Sequence, residues 1–406
     1  MREFLLTRMD ANGDCWGDDA EGSPFRASGP VPGDAVALIG VAQRTQVRRA
    51  YELVRGAPER RAAPCPVQRQ CGGCRLMPLN EAAQQRVKLE ILRAELERRG
   101  ICAPRLDWHP ASSSLAYRNR IRLRLAAGKL SFFNQDKDEG CVVLAPTLQS
   151  ALERLRGLEG ADCALCSFSH CEVRAHDLDG RPALALSGRT DPGLLRAELA
   201  ELQRLLPEFL LGVTGDPAIP AQRRLLGALE MFVPLDAFLQ VNDAVNERLI
   251  AWVVNSVRAL RVGNVLDLFA GAGNFSLPLA AAGSAVTAVE RHGPCITALG
   301  RSAARAGVAC EGVVARADEA VSALVAAKRR FDCVVVDAPR AGAGALLARF
   351  DDLGVRFVVL CSCYAPSFAR DLAALLEQGF RIRAITIFDM FPQTHHVECV
   401  AVLAKE

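Results

Sequence analysis

The pattern of apolar and polar positions gives the C-terminal part of the chain a regular strand-and-helix character. Short apolar runs alternate there with Ala- and Leu-rich stretches of helical periodicity, at 264–269, 285–290, 331–337 and 356–362. Buried strands that alternate with helices are typical of crossover units around a parallel sheet. Two further extended runs then close the chain without a long helix between them. The pattern therefore predicts a doubly wound α/β domain over residues 236–406.

The N-terminal part has a different pattern. Residues 1–60 carry short apolar runs interrupted by Gly, Pro and Asp, which predicts a small β-barrel. A loop rich in Cys, Gly and Pro follows at 61–80, and helical periodicity then extends to Gly100. The region from 105 to 235 is mostly β in character. We therefore expect a barrel domain at 1–60 and a central domain at 61–235.

Composition limits the class of protein. The 406 residues are 50% hydrophobic and 23% charged, which is ordinary for a folded protein and excludes wholesale disorder. Neither a membrane-spanning apolar stretch nor a signal-like N-terminal segment is present, so we expect a soluble cytoplasmic protein with no membrane partner. Because the cytosol keeps thiols reduced, the 15 cysteines favour metal binding or chemistry over disulfides.

The small net charge of +3 conceals two unlike parts. Residues 1–150 hold 23 Lys and Arg against 17 Asp and Glu, whereas the remainder holds 26 against 29. One basic run alternates with other residues, at Arg118, Arg120, Arg122 and Arg124. In a strand this run would line one face with guanidinium groups, which suit a phosphate backbone. The pattern favours a nucleic-acid partner over a merely solvated strand face.

A glycine-rich motif joins a predicted strand to a predicted helix. Residues 265–276 read Val-Leu-Asp-Leu-Phe-Ala-Gly-Ala-Gly-Asn-Phe-Ser. Gly271 and Gly273 let a ligand approach the backbone at the carboxyl edge of the sheet. Ser276 stands where the dinucleotide fingerprint has its third glycine, so S-adenosylmethionine (SAM) fits this motif better than NAD.

Acidic residues follow the next two predicted strands. Glu290 ends the second strand, where its carboxylate can accept a hydrogen bond from a ribose hydroxyl. Asp318 is expected to end the third strand, where it could hold an adenine amino group. Together with the glycine-rich motif, these positions indicate a cofactor that carries a nucleoside.

Three further groups of residues point to the same sheet edge. Asp337 and Arg340 place a carboxylate and a guanidinium there, either for function or as a buried salt bridge. Cys363 follows the next strand and precedes a helix, whose N-terminus is expected to depress the pKa of the thiol. Cys361 is better interpreted as a core residue. Glu398, near the start of the last extended run, could reach the same crevice.

The cysteine-rich loop has the spacing of metal ligands. Cys65, Cys71 and Cys74 lie within ten residues, with glycines that permit a tight wrap, and Cys141 is a candidate fourth ligand. Spacing alone does not decide between zinc and an iron–sulfur cluster. A second group of possible ligands is disfavoured because it continues into a predicted strand, namely Cys163, Cys166, His170 and Cys171.

Taken together, these motifs resemble the RNA uracil-5-methyltransferases, in particular the iron–sulfur subgroup that modifies 23S ribosomal RNA. The likeness extends over nearly the whole chain and includes a barrel similar to the TRAM domain. Its landmarks are Tyr117-Arg-Asn-Arg, Cys141-Val-Val-Leu-Ala-Pro and the segment Phe238-Leu-Gln-Val-Asn242.

The resemblance implies a role for each motif. A [4Fe-4S] cluster would be held by Cys65, Cys71, Cys74 and Cys141. SAM would be contacted by Gln240, Phe269, Asn274, Glu290, Asp318 and Asp337. Cys363 would add to C6 of uracil, which makes C5 nucleophilic, and Glu398 would then remove the C5 proton. The implied protein is an active monomer whose partner is RNA.

The chain departs from the family pattern at two places. Tyr364-Ala365 stand where the family usually has Asn-Pro, and Ala338 replaces the first proline of Asp-Pro-Pro-Arg. Because the first change lies in the turn that positions the thiol, it bears on the rate and the substrate. The alternatives are methylation of tRNA uracil, a catalytically idle RNA-binding relative, and a nicotinamide dehydrogenase.

Overall fold

The computed structural model describes most of the chain, namely residues 2–39, 51–102, 105–132, 140–160, 164–188 and 195–405. Part of the predicted barrel, at 40–50, lies outside these ranges, as does Cys163 of the disfavoured ligand group. No helix in the described part of the chain is long and apolar enough to cross a membrane.

The N-terminal region forms a five-stranded antiparallel sheet. Its strand order is β3-β2-β1-β4-β5, with bounds β1 Glu3–Met9, β2 Asp14–Asp18, β3 Pro24–Ser28, β4 Ala35–Leu38 and β5 Tyr51–Arg55. Alternate residues of β1 face inward, so Phe4 and Leu6 are buried and pack with Phe25. We call these five strands the barrel sheet.

A second five-stranded sheet and a hairpin occupy the middle of the chain. The sheet order is β11-β10-β9-β7-β8, and the hairpin pairs β12 with β13. The strands are β6 Leu106–His109, β7 Arg120–Ala126, β8 Lys129–Ser131, β9 Phe168–Arg174, β10 Ala183–Gly188, β11 Leu210–Val213, β12 Ala221–Leu226 and β13 Leu229–Pro234. The helices of this part and the preceding loop are α1 Gln68–Cys71, α2 Glu81–Glu97, α3 Pro146–Arg156 and α4 Arg196–Leu205.

The C-terminal region is built on an eight-stranded sheet of order β16-β15-β14-β17-β18-β20-β19-β6. Its other strands are β14 Asn264–Leu268, β15 Ala285–Glu290, β16 Cys310–Val314, β17 Cys333–Asp337, β18 Phe357–Ser362, β19 Arg381–Phe388 and β20 Glu398–Ala404. The helices are α5 Asp243–Ala259, α6 Ser276–Ala281, α7 Gly293–Ala306, α8 Ala317–Ala326 and α9 Ala365–Glu377, with a 3₁₀ helix at Gly344–Arg349. Strands β14 to β18 are mutually parallel, which confirms the predicted α/β class.

The strand order of this sheet determines where a ligand can bind. The chain runs outward from β14 through β15 to β16, and then returns to the other side of β14 as β17. Crevices in open α/β sheets form at such a reversal, beyond the carboxyl ends of the strands. The β14 and β17 carboxyl ends therefore mark the expected cofactor crevice. Strand β6 from the middle region extends the far edge of the sheet by pairing with β19.

The barrel sheet packs onto the C-terminal sheet through α2. Apolar residues of β1, α2, α9 and one face of the eight-stranded sheet form one continuous core. The other face is covered by α5, α6 and α7 and forms a second core. The N-terminal region is thus joined to the sheet that carries the crevice by a shared hydrophobic interior, because burial of a common apolar surface favours one arrangement.

Asp34 connects the start of β4 to the segment that follows β5. Its fully buried carboxylate accepts hydrogen bonds from the amides of Val31 and Ala57, at 2.9 and 3.0 Å. Arg60 donates to it from Nε and Nη2, at 2.7 and 2.8 Å. A charged side chain is stable in the interior only when it is fully paired in this way.

We expect Asp34→Ala to destabilise the barrel sheet by about 2–4 kcal/mol, because two amides and a guanidinium lose their acceptor. Native-state hydrogen exchange of β1 to β5 measures this change. Asp18→Ala, at an exposed position of β2, is the matched control and should leave exchange unaltered. Equal protection of these strands from hydrogen exchange in the Asp34 variant and the wild type would contradict the stabilising role of Asp34.

Candidate active site

The glycine-rich motif forms a tight turn between β14 and α6. Phe269 and Gly271 adopt left-handed conformations, with φ of 63° and 55°. Gly273 has φ 101°, and a Cβ there would lie 2.5 Å from a methyl carbon of Leu299. Glycine is needed at 273 for both backbone conformation and space. The turn leaves its backbone open at the predicted crevice, as the sequence analysis expects.

Glu290 holds this turn from the end of β15. Its carboxylate accepts a hydrogen bond from the amide of Gly271 at 3.2 Å, and another from the amide of His292 at 2.9 Å. The second predicted acidic residue therefore lies beside the glycine turn. Its position lets the same carboxylate face a ligand that enters the crevice.

Ser276 explains the missing third glycine. Its hydroxyl donates to Oδ2 of Asp267, the buried carboxyl group within β14. Burial raises the pKa of Asp267 to about 7, although the hydrogen bond from Ser276 opposes this shift. Oδ1 of Asp267 is buried and has no hydrogen-bond partner. A buried polar atom without a partner is an acceptor for a ligand or a water molecule.

Two predicted cofactor contacts are supported by residues that the sequence analysis did not identify. The side-chain amides of Asn274 and Asn246 exchange two hydrogen bonds, at 2.8 and 3.1 Å. The backbone oxygen of Gln240 accepts from Nδ2 of Asn119 at 2.9 Å. Asn246 lies one helical turn after the N-cap residue Asn242. This spacing puts both residues on one face of α5 and could have predicted Asn246 from the sequence.

The predicted position of Asp318 is wrong. The third strand, β16, ends at Val314, and Asp318 lies in the first turn of α8. Its carboxylate is exposed and pairs with Arg316, whose hydrogen bonds lower the pKa of Asp318. The strand ends early because Arg316 becomes the N-cap of α8, so the acidic residue enters the helix.

Cys363 and Glu398 meet across the pair of strands β18 and β20. These strands are antiparallel, with Cys361 opposite Val400 and Ser362 opposite Cys399. Cys363 directly follows β18 and Glu398 begins β20, so the two residues lie at the same end of this strand pair. Asp337 lies beside them, because the parallel register of β17 and β18 places it opposite Cys361. A thiol and two carboxyl groups therefore meet at the predicted crevice.

The environment of this thiol contradicts the expected depressed pKa. Burial and the charges of Glu398 and Asp337 raise the pKa of Cys363 to about 12, and Arg340 only partly opposes them. Burial, reinforced by Asp337, raises the pKa of Glu398 well above its usual range. Burial also raises the pKa of Asp337. Burial of the thiol is the largest cause of its raised pKa, and the two carboxyl groups add to it because they lie in the same water-poor space.

A loop between β19 and β20 carries Glu398 into position. Lys88 of α2, which is almost fully buried, donates to Asp389 at 2.5 Å and to the carbonyl of Phe391 at 2.9 Å. Gln84 of the same helix exchanges two hydrogen bonds with Gln393, at 2.9 and 3.1 Å. Nothing local in the sequence predicts these contacts, since they join segments about 300 residues apart.

The four predicted metal ligands line one cavity. Cys65, Cys71, Cys74 and Cys141 surround it together with apolar side chains, including that of Phe132. In the described residues, no three His, Cys, Asp or Glu side chains are close enough to hold a single metal ion. In the disfavoured group, Cys171 is buried in the core of the middle sheet whereas Cys166 is exposed.

The arginine run lies as its alternation predicts. Strand β7 has its apolar residues buried and its arginines outward, with Arg122 and Arg124 exposed. Arg120 is half-buried, pairs with Glu172 at 3.0 Å and lies 4.7 Å from the ring centroid of Phe238. Arg122 and Arg124 therefore give this face an exposed positive charge, whereas Arg120 is engaged by Glu172 and Phe238.

We expect Glu398→Gln to raise the melting temperature at pH 8 but not at pH 4. A carboxyl group whose pKa is raised by folding stabilises the fold fully below its unfolded pKa of about 4.3, and this contribution is lost as the pH rises through the folded value. Glutamine is neutral at both pH values and avoids this loss. The gain at pH 8 should be about 2–4 °C, measured by thermal unfolding.

Glu377→Gln, at an exposed position of α9, is the control and should not change the pH profile. An identical gain at both pH values, or none at pH 8, would show that burial of Glu398 does not limit the stability of the wild type.

Comparison with known proteins agrees with this geometry. The family described as tRNA (Uracil-5-)-methyltransferase matches residues 230–406. A 23S rRNA (uracil(1939)-C(5))-methyltransferase RlmD of Halomonas elongata is 32% identical, over 99% of this chain and 89% of its own. The enzyme of the same name from Pseudomonas aeruginosa PAO1 is 30% identical, over 94% of this chain and 89% of its own.

The similarity to a solved structure extends over the entire fold. The tRNA (uracil-54, C5)-methyltransferase of Pyrococcus abyssi, in complex with S-adenosyl-L-homocysteine, superposes with a TM-score of 0.73 and 24% identity. The match covers 100% of both chains and shows that they share a fold. Because relatives at 30% identity or more match almost the whole sequence, the chain belongs to the RNA uracil-5-methyltransferase family, whose members are SAM-dependent enzymes.

Proposed function

We propose that this enzyme methylates C5 of a uracil in 23S ribosomal RNA. The observation that carries the proposal is that Cys363 and Glu398 lie at the same end of the β18–β20 pair, beside Asp337 and the glycine-rich turn. The most similar relatives described above act on 23S rRNA and match nearly the full length of this chain. The exposed arginines of β7 suit an RNA backbone, because guanidinium groups bind phosphate oxygens.

The crevice residues fit SAM. Glu290 is the proposed partner of the ribose and lies beside the glycine-rich turn. Asp267 offers an unpaired buried oxygen, and Gln240 and Asn274 lie on segments fixed by hydrogen bonds. Further proposed contacts are Phe269, Asp318 and Asp337. When bound, SAM supplies the methyl group on a positively charged sulfonium. The crevice thus offers the two features that this cofactor requires, namely polar groups at one end and an open backbone turn.

Cys363 is the proposed nucleophile. Its thiolate adds to C6 of the uracil, so the C5–C6 double bond is lost and C5 becomes electron-rich enough to take the methyl group. Glu398 then removes the proton from C5, and the electron pair re-forms the double bond as the sulfur leaves C6. Burial makes the Glu398 carboxylate a stronger base once it is ionised, because the raised pKa favours proton uptake.

The target uridine must leave its stack to reach this buried thiol, which costs least in a single-stranded loop. We propose that the protein works as a monomer in the cytoplasm, where ribosomal RNA is found. A tRNA substrate is the second candidate, since the family profile and the solved structure are those of tRNA enzymes. The length and identity of the 23S-directed relatives favour ribosomal RNA.

We also propose that Cys65, Cys71, Cys74 and Cys141 hold a [4Fe-4S] cluster. All four line the same cavity, and each is a free thiol. Cysteine thiolates are the usual ligands of a [4Fe-4S] cluster, and four of them at one cavity match its ligand number. The cluster would brace the loop that adjoins the RNA-binding half of the chain.

Cys363→Ala should abolish transfer of labelled methyl groups from SAM to transcribed 23S rRNA, because no other group adds to C6. Cys361→Ala is the matched control, since that buried thiol lies two residues earlier, within β18, and belongs to the core. Unchanged transfer by Cys363→Ala would overturn the assignment. Failure of the wild type to methylate either RNA would favour an idle RNA-binding relative, and tRNA as the preferred substrate would favour the second candidate.

Cys71→Ser should remove the brown colour and the visible absorbance expected of an anaerobic preparation, because a cluster loses one of its four ligands. Cys102→Ser, at an exposed cysteine away from the cavity, is the control and should keep the colour. One zinc per chain in a colourless wild type would contradict the cluster.

A further inference from the structure

The turn that carries Cys363 departs from the family pattern, and the structure shows what holds it. Tyr364 follows the thiol directly and is the N-cap residue of α9. Its amide donates to Oγ of Ser362 at 3.3 Å, and its carbonyl accepts from Oγ of Ser367 at 2.9 Å. Pro366 lies in the first turn of α9, where a proline favours helix initiation. The backbone of the turn is thus fixed locally.

The side chain of Tyr364 reaches a different part of the molecule. Its hydroxyl donates to Oδ1 of Asn12, in the loop between β1 and β2 of the barrel sheet, at 3.2 Å. The guanidinium of Arg340 lies 5.0 Å from the centroid of the same ring, within the range of a cation–π contact. One side chain therefore links the thiol-bearing turn to the barrel sheet and to the loop after β17.

Asn12 is itself held in place. Its amide donates to Oδ1 of Asp10 at 2.8 Å, which forms a turn within the loop. Its carbonyl accepts from Arg75 at 2.9 Å, and Arg75 also pairs with Asp14 at 3.1 Å. Because Arg75 follows the last cysteine of the cysteine-rich loop, the acceptor for Tyr364 is anchored from two sides.

We propose that Tyr364 is a positioning residue, which holds the Cys363 turn against the barrel through Asn12 and keeps Arg340 beside the thiol. This inference rests on the proposed function, in which Cys363 is the nucleophile. In this chain the barrel sheet then supplies part of the support for the nucleophile. A small misplacement of a nucleophile slows the chemical step more than it weakens binding.

Tyr364→Phe removes only the hydroxyl, and Asn12→Ala removes its acceptor. Each should slow single-turnover methyl transfer to transcribed 23S rRNA by about threefold to tenfold, the effect expected when one hydrogen bond is lost. The dissociation constant of SAM, measured by calorimetry, and the melting temperature should not change. Asn12→Asp retains an acceptor and should restore the rate. Tyr51→Phe, at a barrel tyrosine away from the turn, is the matched control.

The double variant tests whether both residues act through the same bond. If they do, Tyr364→Phe combined with Asn12→Ala should be no slower than the slower single variant. Wild-type rates in both single variants, additive losses, or an Asn12→Asp variant as slow as Asn12→Ala would each overturn the proposal. A parallel loss of melting temperature and SAM affinity would overturn it as well, because it would show a general structural role.

A second measurement needs neither RNA nor methyl transfer. Labelling of Cys363 by iodoacetamide, followed by peptide mass spectrometry, should become about threefold faster or more in Tyr364→Phe, since a released turn exposes the thiol. Absence of methyl transfer by the wild type would defeat the proposed function alone. Unchanged labelling in Tyr364→Phe would defeat the positioning role alone.

Discussion

The pairing of β18 with β20 is the constraint on which the site depends, because it sets a thiol near a buried carboxyl group. Strand β18 belongs to the parallel sheet that forms the cofactor crevice, whereas β20 enters from the opposite direction. A shift of one residue in this register would turn Glu398 to the other face of the sheet. All seven residues of β20 are buried, and Glu398 is the one charged residue among them.

The N-terminal half of the chain helps to build this site. The loop that leads into β20 is held by Lys88 and Gln84 of α2, and the amide of Leu76, from the cysteine-rich loop, donates to the carbonyl of Gln393 at 2.9 Å. A Cβ on Gly13 of the barrel sheet would lie 2.6 Å from Nδ1 of His395, so the two segments are in direct contact. Loss of any of these contacts would shift the loop and thereby displace Glu398.

Sequence patterns were sufficient for the fold class and for the elements that reach the crevice, because strand alternation and glycine turns are local. They located Glu290, Asp337, Cys363 and Glu398 at one sheet edge for the same reason. They misplaced Asp318, since the competition between a strand end and a helix cap depends on Arg316. They could not identify Lys88, because its partners are distant in the chain and its pairing is decided by packing.

The raised pKa of Cys363 shows why the neighbouring helix N-terminus alone did not predict the ionisation of this thiol. The N-terminus of α9 does lie next to Cys363, and alone it would favour a thiolate. Burial of the thiol outweighs it, and Glu398 and Asp337, which come from other strands, raise the pKa further because charge interactions are weakly screened in a water-poor space. The charge of Arg340 lowers the pKa of the thiol, and its guanidinium lies over the ring of Tyr364. Tyr364, which departs from the family pattern, thus contacts the cation that favours the ionised form of the Cys363 thiol.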